Sequence, residues 1–178
     1  MNDQVLILFR GLPGVGKTKI VKKLAPLINA KIVSRDIIRM QIFSPPDFSL
    51  EEKHFIDDVV LGCTRLYLLR GENVIVDGTA FSRAEAVQQY VDLASTFGIK
   101  LLIFHCICED KVAKDRIEYD RKNNKHPARD RTINLYKKVR NDFETITYPY
   151  ICLQTDKKPS CNVKIILDCL PENLRRNA

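Results

Sequence analysis

Residues 5–18 read Val5-Leu6-Ile7-Leu8-Phe9-Arg10-Gly11-Leu12-Pro13-Gly14-Val15-Gly16-Lys17-Thr18, and they decide the fold. Val5–Phe9 is a continuous apolar run closed by a glycine-rich turn, the pattern of a parallel strand buried on both faces. After Lys17, the residues Ile20, Val21, Leu24, Leu27 and Ile28 recur at helical spacing. Between strand and helix, Gly11, Leu12, Pro13, Gly14, Val15, Gly16, Lys17 and Thr18 fit G-x-x-x-x-G-K-[ST] at every position. Glycines let the backbone turn tightly and approach an anion without a Cβ in the way. The loop amides and the helix N-terminus then face phosphate. Lys17 is expected to reach the β- and γ-phosphates of ATP, and the Thr18 hydroxyl to ligate Mg²⁺.

Outward from this segment, strands and helices alternate. Short strands are predicted at Lys31–Val33, Asn73–Asp77, Leu101–Cys108 and Tyr150–Leu153. Helices are predicted over Asp36–Phe43, from Ser49 to Gly71, from Ser82 to Gly98, from Glu109 onward in two basic pieces split near 123–127, and from Ser160. Ser49/Glu52 and Ser82/Glu85 have capping-box spacing, and Gly71 and Gly98 suit C-terminal caps. The expectation is an α/β chain of one domain, residues 1–178: a five-stranded parallel sheet with helices on both faces, the three-layer P-loop NTPase fold, with a helical lid at about 111–131. The polar tail from about Pro171 is expected to be loose.

The chain has 178 residues and a net charge of +7. Lys111–Arg140 holds eleven Lys/Arg and four Asp/Glu, an excess of 11 − 4 = 7, so the remainder is balanced at 18 against 18. A charge excess confined to 30 residues reads as a phosphate-attracting segment. No apolar run reaches the ~18 residues of a membrane span. The start lacks the basic and apolar stretches of a secretory signal, so a cytoplasmic location is expected. The six cysteines form no CxxC pair and read as small apolar residues; Cys106 and Cys108 share a strand face. The three histidines have no zinc spacing: His105 reads as a core residue and His126 as a loop residue in the lid.

Two acids fall at strand ends, where open parallel sheets bind ligands. Asp77 ends an apolar strand and suits the position that organises Mg²⁺; the plain alternative is a turn aspartate before Gly78. Asp36 starts a helix and suits a base that takes a hydroxyl proton; the plain alternative is a helix cap.

The loop, then Ser34-Arg35-Asp36-Ile37-Ile38-Arg39, then Val74-Ile75-Val76-Asp77-Gly78-Thr79, then a basic lid, resemble the P-loop kinases of the polynucleotide kinase, seryl-tRNA kinase and zeta-toxin-like group. The resemblance spans nearly the whole chain. It implies an ATP- and Mg²⁺-dependent transfer of phosphoryl to a hydroxyl, with Asp36 as general base and Arg39 gripping a phosphate of the acceptor. It places Arg116, Arg121, Lys122, Lys125 and Arg129 in the lid, with Arg121 first and Arg116 second as the arginine closing over the β/γ-phosphates. Arg39 has a plain alternative as a solvated helix residue. In such kinases the loop at this point often borders the adenine, which puts Thr155-Asp156-Lys157 near the base; the plain alternative is a strand-to-helix turn. The acceptor is expected to be a polynucleotide 5′-hydroxyl or other RNA-linked hydroxyl, with a small metabolite or antibiotic as the alternative. A non-catalytic nucleotide switch is the other class, although Asn123-Asn124-Lys125-His126 lacks the guanine-reading Asn-Lys-x-Asp. Composition and spacing leave the oligomeric state open.

Overall fold

The computed structural model describes residues 4–123, 125, 126, 128 and 130–175. Its elements follow the predicted alternation: β1 (Val5–Arg10), α1 (Lys17–Leu27), β2 (Ala30–Ser34), α2 (Arg35–Ile42), α3 (Leu50–Leu69), β3 (Asn73–Asp77), α4 (Ala84–Phe97), β4 (Lys100–Ile107), α5 (Asp110–Lys122), α6 (Ile133–Asn141), β5 (Ile151–Gln154), α7 (Pro159–Cys169) and α8 (Glu172–Arg175). The five strands form one sheet in the order β2-β3-β1-β4-β5, and every pairing is parallel. This is the P-loop NTPase fold expected from the sequence.

β1 lies at the sheet centre, and Val5 to Phe9 have no solvent exposure. Alternation along the strand divides its side chains between two cores. Val5, Ile7 and Phe9 join Ile20, Val21 and Leu24 of α1 and Val163 and Ile166 of α7. Leu6 and Leu8 face the other way, onto Ile56, Val60 and Leu68 of α3 and Val87 and Tyr90 of α4. Helices therefore cover both faces, and all strands end on the same edge.

Helix termini divide into those set by local sequence and those set by tertiary contact. Ser49 caps α3, its hydroxyl accepting from the Glu52 amide at 3.1 Å, and Gly98 ends α4 in the left-handed region. The second expected capping box does not form. Arg83 holds the cap position of α4 with no side-chain bond, and Glu144 Oε2, sixty residues away, accepts from the Ala84 amide at 2.8 Å. α7 begins at Pro159 rather than under a Ser160 cap; proline suits the first helical position, where its missing N–H would have no partner. In the tail, α8 forms, Leu174 packs on the core, and Arg175 Nε donates to Leu170 O at 2.6 Å. Among the described residues no helix is long and apolar enough to cross a membrane.

Candidate active site

The loop between β1 and α1 sits at the C-terminal edge of the central strand. Gly11, Gly14 and Gly16 have φ of 145°, 84° and 98°, backbone that side-chain-bearing residues rarely adopt. Two of them are also pressed against backbone: a Cβ on Gly11 would lie 2.4 Å from Cys106 O, and one on Gly14 2.4 Å from Ala113 O. The loop is thus seated on the end of β4 and the start of α5. Gly16 caps α1 with no side-chain bond, and the first turn carries no acid, so the amides there stay available to an anion.

Lys17 Nζ donates to Gly11 O at 2.6 Å and Leu12 O at 3.1 Å, folding the ammonium back over its own loop. Burial lowers its pKa from 10.5 to about 8, partly opposed by the nearby Asp77 and Asp36 charges. The Thr18 hydroxyl donates to Asp77 Oδ1 at 3.1 Å. Asp77 is 4% exposed at the end of β3. A hydroxyl and a carboxylate so placed beside a phosphate loop fit Mg²⁺, which takes one or two protein oxygens and completes its shell with phosphate and water.

Asp36 lies beside this pair. β2 and β3 align Ser34 with Asp77, and Gly78 lets the two turns close: a Cβ there would sit 3.0 Å from the Asp36 amide nitrogen. Asp36 is not the helix cap. Ser34 holds that position, and Asp36 is a first-turn acid of α2. Burial raises its pKa from 3.8 to about 6, opposed by Arg35 and reinforced by Asp77.

The arginines divide differently from the sequence expectation. Arg39 turns into the α2–α3 interface, its Nε 2.9 Å from Glu52 Oε1, with both side chains 3% exposed and its guanidinium over the Phe48 ring. The contact is close without hydrogen-bond alignment. It is neither a solvated residue nor an open phosphate grip. Arg116 donates to Val15 O at 3.0 Å and to Thr155 O at 2.8 Å, on the outer side of the loop. There it lines a cleft of ≈ 250 Å³ with Gly16, Thr155, Lys157 and Asn162. Arg121 is exposed in the last turn of α5, with no hydrogen bond or ion pair to its side chain among the described residues. Lys122 is also exposed, and Lys125 donates to Tyr119 Oη at 3.0 Å. Arg129 lies outside the described residues.

Sequence reading missed Arg131. It is mostly buried, its Nη1 3.3 Å from Asp120 Oδ2, and burial lowers its pKa against the pull of Asp120, Asp36 and Asp77. Its charge also helps depress Lys17. Among the described basic residues of 111–131, it is the one electrostatically coupled to Lys17, Asp36 and Asp77 together. One signal was present, its place in Arg129-Asp130-Arg131, but eleven cations in 30 residues hid it. His126 also comes inward, its Nε2 3.9 Å from Asp36 Oδ2. Its Nδ1 accepts from the Ala128 amide at 3.1 Å, and burial lowers its pKa to about 4. The ring is neutral, with its proton on the nitrogen facing Asp36. Among the described residues no cluster of three or more His, Cys, Asp or Glu could hold a metal, and Cys106 is buried and free.

Fold and site together define a P-loop protein with a nucleotide loop and a second carboxylate beside it. The AAA-domain family AAA_33 matches residues 6–143, and the chain belongs to it. Solved structures share the fold across nearly the full length. A candidate kinase from Chloroflexus aurantiacus is 18% identical, covering 95% of this chain and 100% of that one, with a TM-score of 0.76. The APS kinase CysC of Mycobacterium tuberculosis, solved with AMPPNP and APS, is 17% identical over 93% and 96%, with a TM-score of 0.67. Chaetomium thermophilum Kti12 in complex with ADP-AlF3 is 13% identical over 93% and 99%, with a TM-score of 0.71. Among curated proteins none matches the chain.

Proposed function

We propose that the chain is an ATP-dependent kinase that transfers the γ-phosphoryl group to a hydroxyl. The observation that carries this reading is Asp36. A nucleotide switch needs the loop, Thr18 and Asp77, but has no use for a second carboxylate beside them whose pKa of about 6 suits it to accept a proton. The ≈ 250 Å³ cleft beside Gly16 and Thr155 suits the nucleobase, with Arg116 across its mouth.

Asp36 takes the proton of the acceptor hydroxyl as its oxygen bonds to the γ-phosphorus. The bond from that phosphorus to the β–γ bridging oxygen breaks, and ADP leaves with the electron pair. Lys17 exchanges the Gly11 and Leu12 carbonyls for the β- and γ-phosphate oxygens. Arg131 turns from Asp120 to the equatorial oxygens of the moving phosphoryl group and offsets the charge that spreads there. Thr18 and Asp77 would hold Mg²⁺, which would supply charge neutralisation for the phosphates. Little covalent assistance is needed, and positioning carries most of the work.

For the acceptor, the ion pairs favour a small alcohol without a phosphate. Arg39 is paired with Glu52, and Arg35 with Asp57 at 2.5 Å, so the α2 cations are already neutralised from α3. The second reading is a polynucleotide hydroxyl, supported by the basic stretch Lys111–Arg140. Labelled ATP with a panel of 5′-hydroxyl oligonucleotides, tRNA, nucleosides, sugars and aminoglycosides tests both. Transfer to one class, lost in Asp36→Asn with ATP binding kept, is the expected result. Tight ATP binding with no labelled acceptor, and ATP turnover equal in wild type and Asp36→Asn, would sink the kinase reading.

A further inference from the structure

α3 buries Ile56, Val60, Thr64 and Leu68 against the sheet. Its outer face is not polar, as the solvent side of such a helix should be. Phe55, Val59, Gly62, Leu66 and Leu69 recur at alternating steps of four and three, the spacing of a helix-pairing seam. Phe55 is 51% exposed, Leu66 48% and Leu69 66%, with Val59 half-buried and Gly62 open. Space above Gly62 is empty within 4 Å, so a second helix can approach the backbone closely there. Ile42, 45% exposed, and Phe43, edge-on to Phe55, extend the apolar surface at the end of α2.

The charges bordering the seam select its occupant. Asp58 and Arg65 lie on the same flank, seven residues apart, both exposed, and neither makes an ion pair among the described residues. Asp57, by contrast, is engaged by Arg35. In an antiparallel pair of identical helices, the register that sets Phe55 against Leu66 of the second copy also sets Val59 against its Gly62. Residues flanking such layers pair across the seam, which brings Asp58 to Arg65 of the second copy. Two-fold symmetry then forms the pair twice. One face thus matches itself in shape and in charge.

We propose that two copies of this chain associate through α3, antiparallel, with the Phe55–Leu69 seam as the contact and two Asp58–Arg65 pairs setting the register. The proposal does not depend on the phosphotransfer reading. A helix pair of this length buries about 1,000 Å² in total, the low end for specific association, so the dimer is a weak one whose population rises with protein concentration.

Sedimentation velocity across a concentration series tests it. The wild-type chain shifts from monomer to dimer. Asp58→Arg or Arg65→Asp alone weakens the dimer by ~10-fold or more, because each turns two attractions into two repulsions. The double variant Asp58→Arg/Arg65→Asp dimerises again, and an equimolar mixture of the two single variants forms a heterodimer. Leu66→Glu abolishes association with the circular dichroism spectrum unchanged. A chain monomeric to ~0.5 mM overturns the proposal and leaves the seam to a different protein. A dimer indifferent to either charge reversal overturns this register.

Discussion

Asp36 is held where its charge is unwelcome. The rise of its pKa from 3.8 to about 6 corresponds to about 3 kcal/mol against the ionised form in the folded chain. A raised folded-state pKa means that the native state binds the proton more tightly. Its stabilising effect is complete below pH 4 and is lost as pH rises through about 6. Asp36→Asn should therefore raise the melting temperature at pH 8 and leave it nearly unchanged at pH 4, while phosphotransfer disappears. In the wild type, kcat/KM should fall tenfold per pH unit below about pH 6. Arg131→Ala should lower kcat by 10²-fold or more with a smaller effect on the KM for ATP, whereas Arg121→Ala should leave both near wild type; steady-state kinetics separates the two. Lys17, Thr18, Asp36 and Asp77 were legible because each belongs to a short motif or ends an apolar run. Arg39 and Arg131 were not, because a cation's role depends on which acid faces it. Glu52 and Asp120 become partners only when helices pack.

At the scale of elements, α2 and α3 are joined by a pair that both helices bury. Removing one partner leaves the other charged and dry, a loss of about 3–5 kcal/mol, whereas replacing both with apolar residues is close to neutral. Glu52→Ala should accordingly unfold at much lower urea than wild type, and Arg39→Met/Glu52→Leu should recover most of the loss; equilibrium unfolding of both decides it. A different long-range contact, an exposed one, sets the start of α4, where the Glu144 carboxylate accepts from the Ala84 amide. Strand positions were legible from apolar runs bounded by turn residues, and Ser49 from its own spacing to Glu52. The start of α4 was not, since its cap arrives from residue 144 and nothing local reports it. Gly11 and Gly14 combine the two cases. Their need for positive φ was readable, but not the carbonyls of Cys106 and Ala113 that exclude a Cβ. Alanine at either should abolish ATP binding in a titration, with the far-ultraviolet spectrum retained.

Over the whole molecule, the phosphate loop, Asp36, Asp77, Arg131 and the cleft beside Thr155 come from five separate stretches, and a nucleotide that engages them all should couple them. At 100 times its dissociation constant, ATP contributes about 2.7 kcal/mol, or roughly 5–10 °C for a chain of this size, measurable by thermal shift. The parallel sheet was legible from alternation alone, but its order was not. That order has a consequence for synthesis. The strand that carries the phosphate loop comes before the other four in the chain, yet its neighbours on either side, β3 and β4, begin at Asn73 and Lys100. The loop then leans on Cys106 and Ala113. Until β3 has emerged at Asp77, β1 is an apolar segment with no edge to join, and its second neighbour follows only with β4. Its shelter during that interval must come from outside the fold, and a stalled chain ending before β4 should have no grip on nucleotide.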